Sequence, residues 1–453
     1  MTTYDVIVVG AGPAGLAAAV TSARAGCRVA LLDAAPRPGG QYWRHRSDAD
    51  GREHHDWSTF RRLHAGLDGV DHHAEAAVWF VEPGLTVHTR TGQVRGRRLV
   101  IATGAYDRVV PFPGWDLPGV LTAGGAQALL KGQGVRFGQR IVVAGTGPFL
   151  LPVATGLATA GATVLGVHEA NQPTRYLRQL PALAGALGKL TEAGGYGATL
   201  LRHRVPYRTG SAVVAAHGTD RLTAVTVAST QSGRVMPGSE REVACDGLAV
   251  GYGFTPQLEL PLALGCATRL DTDGSLVVTV DAAQRTSVPG VYAAGEVTGV
   301  GGAALALVEG ELAGAAAATT LGGDPPWSAG RHARLLLQRR TLRRFAAALH
   351  AAHPVPAGWP GWCDDDTVLC RCEEVPVGRV RQAVRDGSVV DARGAKLMNR
   401  TGMGWCQGRM CGYATACLTA RTTGRRLAAA DLIAYGARPI AQPITLGELA
   451  DDD

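Results

Sequence analysis

Near the end of the sequence, the runs CRC at 370–372 and CQGRMC at 406–411 set four thiols in two close pairs, Cys370 with Cys372 and Cys406 with Cys411. Four thiolates in two pairs are what a [2Fe–2S] cluster needs. A structural zinc also takes four thiolates, but its pairs are usually separated by about two to four residues, so a C-x-C step suits it less well. Zinc stays as the rival reading. Arg371, Arg379, Arg381, Arg400 and Arg409 surround the pairs in sequence. Positive surroundings offset a cluster's negative charge and raise its potential. Cys363 and Cys417 fall outside the spacing and are read as non-ligands. Cys27, Cys245 and Cys266 are isolated and read as buried structural thiols.

The other end of the chain carries residues suited to phosphate. YDVIVVGAGPAGLAAAVTSARAGCRVALLDA is a complete βαβ pattern. An apolar strand, Tyr4–Val9, runs into Gly10, Gly12 and Gly15, with Pro13 and Ala14 inside the same turn. In such a G-x-G-x-x-G turn the first glycine makes the bend. The second lets a pyrophosphate approach the backbone, and the third lets helix and strand pack closely. The helix N-terminus then offers free N–H groups and a positive dipole to the phosphates. A second strand, Arg28–Leu32, ends in Asp33, which can accept hydrogen bonds from ribose hydroxyls. Gly39-Gly40-Gln41 bends the chain again, with Gly40 and Gln41 placed along a dinucleotide.

A second cradle follows at QRIVVAGTGPFLLPVATGLATAGATVLGVHEA. Strand Ile141–Ala144 leads to Gly145 and Gly147, and Leu150 stands where a third glycine is expected. Strand Thr163–Val167 ends near Glu169, an acid that favours a free 2′-hydroxyl and so an NAD- or ATP-like nucleotide over NADP. An empty, structural second domain is the alternative. His168 beside it reads as a nucleotide-edge or surface residue.

Two further segments, RRLVIATGAYDRVVPFPG with Thr103-Gly104 and TSVPGVYAAGEVTGVGGAALALVEG with Gly295-Glu296, complete a pattern. With the first cradle they resemble the two-dinucleotide-binding flavoproteins of the glutathione and thioredoxin reductase group. That resemblance implies FAD in the first cradle. It places Glu296, where aspartate is usual, against the ribityl chain, and the following helix N-terminus toward the flavin ring. The redox cysteine pair of the disulfide reductases is absent from the flavin and second-cradle segments.

The tail, CRCEEV with GMGWCQGRMC, resembles the bacterioferritin-associated ferredoxin type of [2Fe–2S] domain, in the version fused to flavoproteins. GGQYWR, ATGAYDRVVPFPGWDLPGVLTAGGAQALLK, GTGPFLLPVA and GYGFTPQLEL extend the likeness to nearly the whole chain. They are similar to the FAD/[2Fe–2S] subunits of heteromeric amine and imino-acid dehydrogenases. These include the A-type chain of opine oxidase, the B-type chain of hydrogen cyanide synthase, and the α-type chains of heteromeric proline and hydroxyproline dehydrogenases. The resemblance implies a separately encoded, amino-acid-oxidase-like flavoprotein partner, with or without a small ferredoxin-like one. It also implies oxidation of a secondary amine, opine or amino acid at a C–N bond.

Elements must hold these sites in place. With 453 residues the chain is too long for one core. The expected fold is α/β: two Rossmann-like dinucleotide domains of the glutathione/thioredoxin reductase type plus a small helical C-terminal [2Fe–2S] domain. The expected boundaries are 1–118 with 260–325 for flavin, 119–259 for the second nucleotide, a linker helix over 326–365, and 366–453 for the cysteines. Leu335, Leu342, Phe345 and Leu349 give the linker helix an apolar stripe. The net charge of +7 is spread along the chain, which points to a solvated surface and not to nucleic acid. The longest apolar stretch, 299–323, contains Glu309 and Glu311 and reads as an interior helix, not a membrane span. MTTYDVIVVGAG enters a strand at once without a secretory pattern, so a cytoplasmic setting with reduced thiols is expected, peripheral membrane contact aside. Two other functions stay in play: a self-contained NAD(P)H-dependent reductase, and a cofactor-bearing scaffold without catalysis.

Overall fold

The structure is a computed structural model that describes residues 3–51, 54–177, 179, 187–231, 233–324 and 326–450. It divides into two compact units. One holds 1–106, 256–346 and 436–453; the other holds 107–255 and 347–435.

The first unit is built on a seven-stranded sheet. Its order is Val70–His73, Val29–Leu32, Thr3–Val9, Gly92–Ile101, Thr86–Thr89 and Val78–Val81, with Val291–Ala293 also paired to Gly92–Ile101. The five strands nearest the cradle run parallel and the outer two antiparallel. Central parallel strands are covered on both faces, so they read as unbroken apolar runs; Val6 through Val9 are all buried. The first helix, Pro13–Arg24, packs on the long helix Ala303–Thr319. The contact is close because small residues face each other. A Cβ on Gly314 would stand 2.3 Å from the Ala18 carbonyl oxygen, and the Ser22 hydroxyl donates to the Gly314 carbonyl at 3.1 Å.

The second unit is built on a five-stranded parallel sheet in the order Tyr207–Thr209, Thr163–Glu169, Arg140–Gly145, Gly247–Gly251 and Val120–Thr122. An antiparallel layer, Ser211–His217 with Ala224–Gln231, packs beside it. The cysteine segment belongs to this unit and is not a separate body. A hairpin, Val368–Cys370 with Val375–Pro376, leads to helices Val377–Arg385, Ala392–Asn399, Gly412–Thr422 and Ala429–Gly436. Leu369, Val377, Val380, Ala414 and Leu418 share one core with Phe112, Trp115, Val142 and Val213. Trp115 Nε1 donates to the Val368 carbonyl at 2.6 Å.

The unit boundaries therefore differ from the sequence expectation. The cut falls at 106/107 and 255/256, and residues 436–453 return to the first unit. The linker helix extends over Ala329–Ala352, with Leu335 buried against Val308 and Leu312. No helix among the described residues is long and apolar enough to cross a membrane.

Candidate functional site

The first cradle has the local geometry that phosphate requires. Gly10 has φ +101°, and a Cβ there would meet the Ala102 carbonyl oxygen at 2.4 Å. A Cβ on Gly15 would meet the Gly10 carbonyl oxygen at 1.7 Å, so helix and strand approach as the third glycine permits. Over Gly12 the nearest atom to an added Cβ is the Gly40 Cα, at 3.9 Å. The helix starts directly behind Gly12, at Pro13, with Ala14 next and no side-chain cap, so its N–H groups remain for an anion. Asp33 sits at the end of its strand and accepts from the Ala11 and Ala35 amides. Burial pushes its carboxyl up, against those two donors. Gly39 and Gly40 lie on this loop, the Gly39 amide donating to the Ala11 carbonyl at 2.7 Å. Gln41 is exposed and accepts from Arg44 Nε at 3.1 Å. The Thr103 hydroxyl donates to the Gln257 carbonyl at 3.0 Å, and the Gly104 carbonyl accepts from the Gln257 amide at 2.9 Å. The glycine turn, the helix start and Asp33 fit the adenosine diphosphate half of FAD.

Glu296 is held differently from the resemblance's expectation. Its two carboxylate oxygens accept from the Gly301 and Gly302 amides at 3.0 and 2.9 Å. The extra methylene over aspartate lets it reach the N-terminus of the Ala303–Thr319 helix that follows. Burial raises the Glu296 carboxyl to about 7. Beside it, the Gly295 amide donates to Glu309 at 3.2 Å. Glu309 is wholly buried and also accepts from the Thr298 hydroxyl at 2.9 Å, Arg339 Nε at 3.1 Å and Arg343 Nε at 2.9 Å. Arg343 donates further to the Gly299 carbonyl at 2.7 Å. Sequence reasoning saw Glu309 only as a charge in an apolar stretch. That charge was itself the signal, because a buried carboxylate needs a cation and hydrogen bonds.

The second cradle keeps its glycine and acid positions but uses them internally. Glu169 is 2% exposed and accepts from the Gly147 amide at 2.7 Å, the Thr146 hydroxyl at 3.1 Å and the Asn171 amide at 2.9 Å. Its Oε2 lies 3.1 Å from His353 Nδ1. Burial alone would raise its carboxyl, but His353, Asn171 and Gly147 outweigh burial and hold it below the usual range. The helix does not start until Leu150, which is buried where a third glycine would allow closer approach. Gly145 has φ +136° and sits at the end of its strand. His168 is not at the surface. It is buried with Nδ1 2.8 Å from the Ser211 hydroxyl, and burial, with Arg208 and Arg241, lowers it to about 4.

The four predicted ligands converge. Cys370 ends the hairpin strand, Cys372 follows at an exposed turn, and Cys406 and Cys411 lie in the turns before the Gly412–Thr422 helix. Cys370 hydrogen-bonds Cys411, Cys411 bonds Cys406, and Cys406 bonds Cys372. The hydrogen bond to Cys411 pulls Cys370 down to about 6 and Cys406 to about 5, while the same contacts push Cys411 up. Backbone amides of Gly402 and Glu373 point at Cys370, and those of Met410 and Gly408 at Cys406. Such donors stabilise anionic sulfur. A Cβ on Gly404 would stand 2.4 Å from Cys372 Cβ, so only glycine lets the two loops meet. Tyr435 closes the loop from behind, its hydroxyl 3.0 Å from that of Thr401.

The non-ligand thiols sit elsewhere. Cys363 donates to the Pro111 carbonyl at 3.2 Å, and burial pushes it up to about 12. Burial likewise raises Cys417 to about 11. Cys245 and Cys266 are buried, but Cys27 is only half-buried.

Two Rossmann-type units define an oxidoreductase of the two-dinucleotide flavoprotein class. A profile described as pyridine nucleotide-disulphide oxidoreductase matches residues 4–320, and the chain belongs to that family of FAD-dependent oxidoreductases. It is 35% identical over 483 residues to the A-type chain of opine oxidase from Rhizobium meliloti (strain 1021), covering 100% of this chain and 99% of that one. It is 33% identical over 437 residues to hydrogen cyanide synthase subunit HcnB of Pseudomonas aeruginosa, covering 92% and 93%. Among solved structures, L-proline dehydrogenase from P. horikoshii superposes with a TM-score of 0.70 over 99% of this chain and 79% of that one. At 20% identity this likeness speaks for the fold alone.

Proposed function

We propose that this chain is the flavin- and iron–sulfur-bearing subunit of a heteromeric dehydrogenase or oxidase. It acts with an amino-acid-oxidase-like flavoprotein partner, with or without a small ferredoxin-like one, on a secondary amine, opine, or imino or amino acid. The observation that carries this reading is the convergence of Cys370, Cys372, Cys406 and Cys411. Their contacts run from Cys370 to Cys411, from Cys411 to Cys406 and from Cys406 to Cys372.

Oxidation at a C–N bond releases two electrons, and a flavin accepts them as a pair while a [2Fe–2S] cluster carries them singly. The chain's own part is to hold both groups. Gly10, Gly12, Pro13, Ala14, Gly15 and Asp33 hold the adenosine diphosphate of FAD. Gly40, Gln41, Thr103, Gly104, Gly295 and Glu296 border its remainder. The four cysteines and the amides aimed at them hold the cluster.

The self-contained NAD(P)H reductase is not adopted. Its nucleotide would have to displace the bonds that Glu169 makes with the Gly147 amide and the Thr146 hydroxyl.

The test is Cys406→Ser in the anaerobically purified protein. The variant loses the cluster's visible absorbance and its reduced-state paramagnetic signal while FAD stays bound. Unchanged cluster absorbance would refute the ligand assignment.

A further inference from the structure

We propose that the second cradle is an adenine-nucleotide site in which the chain's own residues 353–354 take the nucleotide's place, so that nucleotide and segment compete. The proposal rests on reading Gly145, Gly147 and Glu169 as a nucleotide cradle and adds how that cradle is controlled.

Two groups that a dinucleotide uses in such a fold, the Gly147 amide and the Glu169 carboxylate, are present, and both are engaged. The Gly147 amide, which would face a pyrophosphate, donates to Glu169 Oε2 at 2.7 Å. The acid, which would accept from ribose hydroxyls, instead meets His353 Nδ1 at 3.1 Å. The other ring nitrogen of His353 contacts the Tyr176 hydroxyl, and the two rings stand edge to face at 5.0 Å. Asn171 Nδ2 spans the arrangement, donating to the Thr146 hydroxyl at 2.6 Å and to the Pro354 carbonyl at 3.0 Å. His353 lies over the glycine turn itself, for its Cβ is the nearest atom, at 3.9 Å, to a Cβ placed on Gly147. His353 is 6% exposed and Glu169 2%. An imidazole with two ring nitrogens, an aromatic neighbour and a backbone carbonyl thus supply the polar contacts of a ribose and its phosphate.

Nucleotide has to free Glu169 and Asn171 from residues 353–354 as it enters, and its apparent affinity falls by the fraction of molecules in which the segment is lifted.

The segment does not end at Pro354. It continues to Trp359, Trp362 and Cys363, which lie in the same core as Leu369, Cys370 and Cys411. By linkage, a nucleotide that lifts residues 353–354 loosens the approach to the cysteine hairpin, and a firmly held hairpin weakens nucleotide binding by the same factor.

The experiment uses the full chain loaded with FAD, so that the first cradle is filled. NAD+ is titrated calorimetrically into the wild type and into His353→Ala. The expected result is one additional NAD+ per chain, bound about tenfold or more tightly by the variant. Equal affinity in the two proteins overturns the competition and leaves the cradle reading standing. Failure of both to bind overturns the cradle reading and the proposal with it. Hydrogen exchange of the wild type at saturating NAD+ guards against a misfolded variant. Amides of 353–358 exchange faster while those of 145–150 slow; unaltered exchange in 353–358 with NAD+ bound contradicts the proposal.

Discussion

Single residues decide whether the cofactors bind. Gly12 is the position at which a pyrophosphate would approach the backbone of the first cradle. Gly12→Val puts a branched side chain there and yields flavin-free protein that still contains iron, read from the flavin and iron absorbance of the purified chain. Gly404 has no such freedom, because its backbone meets Cys372 Cβ. Gly404→Val separates the hairpin from the second cysteine pair and removes the cluster while FAD remains, again a spectroscopic readout. Glu296 carries a pH signature. Its carboxyl is raised from 4.5 to about 7 by burial, so the native state binds a proton that the unfolded state has released. Stability of the cofactor-free protein therefore falls as pH rises through that window. Urea midpoints at pH 5 and pH 7.5 measure this fall, and Glu296→Gln flattens it.

At the scale of elements, the local patterns were legible and the distant pairings were not. Tyr4–Val9 was expected as a strand and forms as Thr3–Val9, since an apolar run bounded by Gly10 has few other options. The glycine turn was legible for the same reason: sterics at Gly10 and Gly15 act between neighbours in the chain. Arg339 and Arg343 read only as part of a basic helix. In the fold they reach Glu309, roughly one helix length earlier, and no periodicity announces that meeting. His353 and Glu169 are a second case, and so the second cradle looked open in sequence. The Glu309 cluster has a measurable consequence. Arg343→Ala leaves a wholly buried carboxylate with one remaining guanidinium and costs about 3 kcal/mol. Glu309→Gln, which keeps hydrogen-bonding capacity, costs less. Urea denaturation of the two variants orders them.

At the scale of the whole molecule, the fold ties chemistry to architecture in a way the linear order hides. The cysteine segment follows the flavin segments in sequence by a long helix, yet it shares its core with the second nucleotide unit through Trp115, Leu369 and Val377. Residues 436–453 return to the first unit, where Arg90 donates to the Pro443 carbonyl at 3.2 Å. The small C-terminal domain expected from the sequence is thus a part of a larger body, and truncation before residue 366 exposes the apolar face around Phe112 and Trp115. Such a truncated chain aggregates, as size-exclusion chromatography will show. Whether Cys370, Cys372, Cys406 and Cys411 bind two irons is decided by iron, acid-labile sulfide and zinc measured together on anaerobically purified protein. About two irons and two sulfides per chain, with no stoichiometric zinc, are expected. One zinc per chain, or no metal at all, contradicts the two-iron reading.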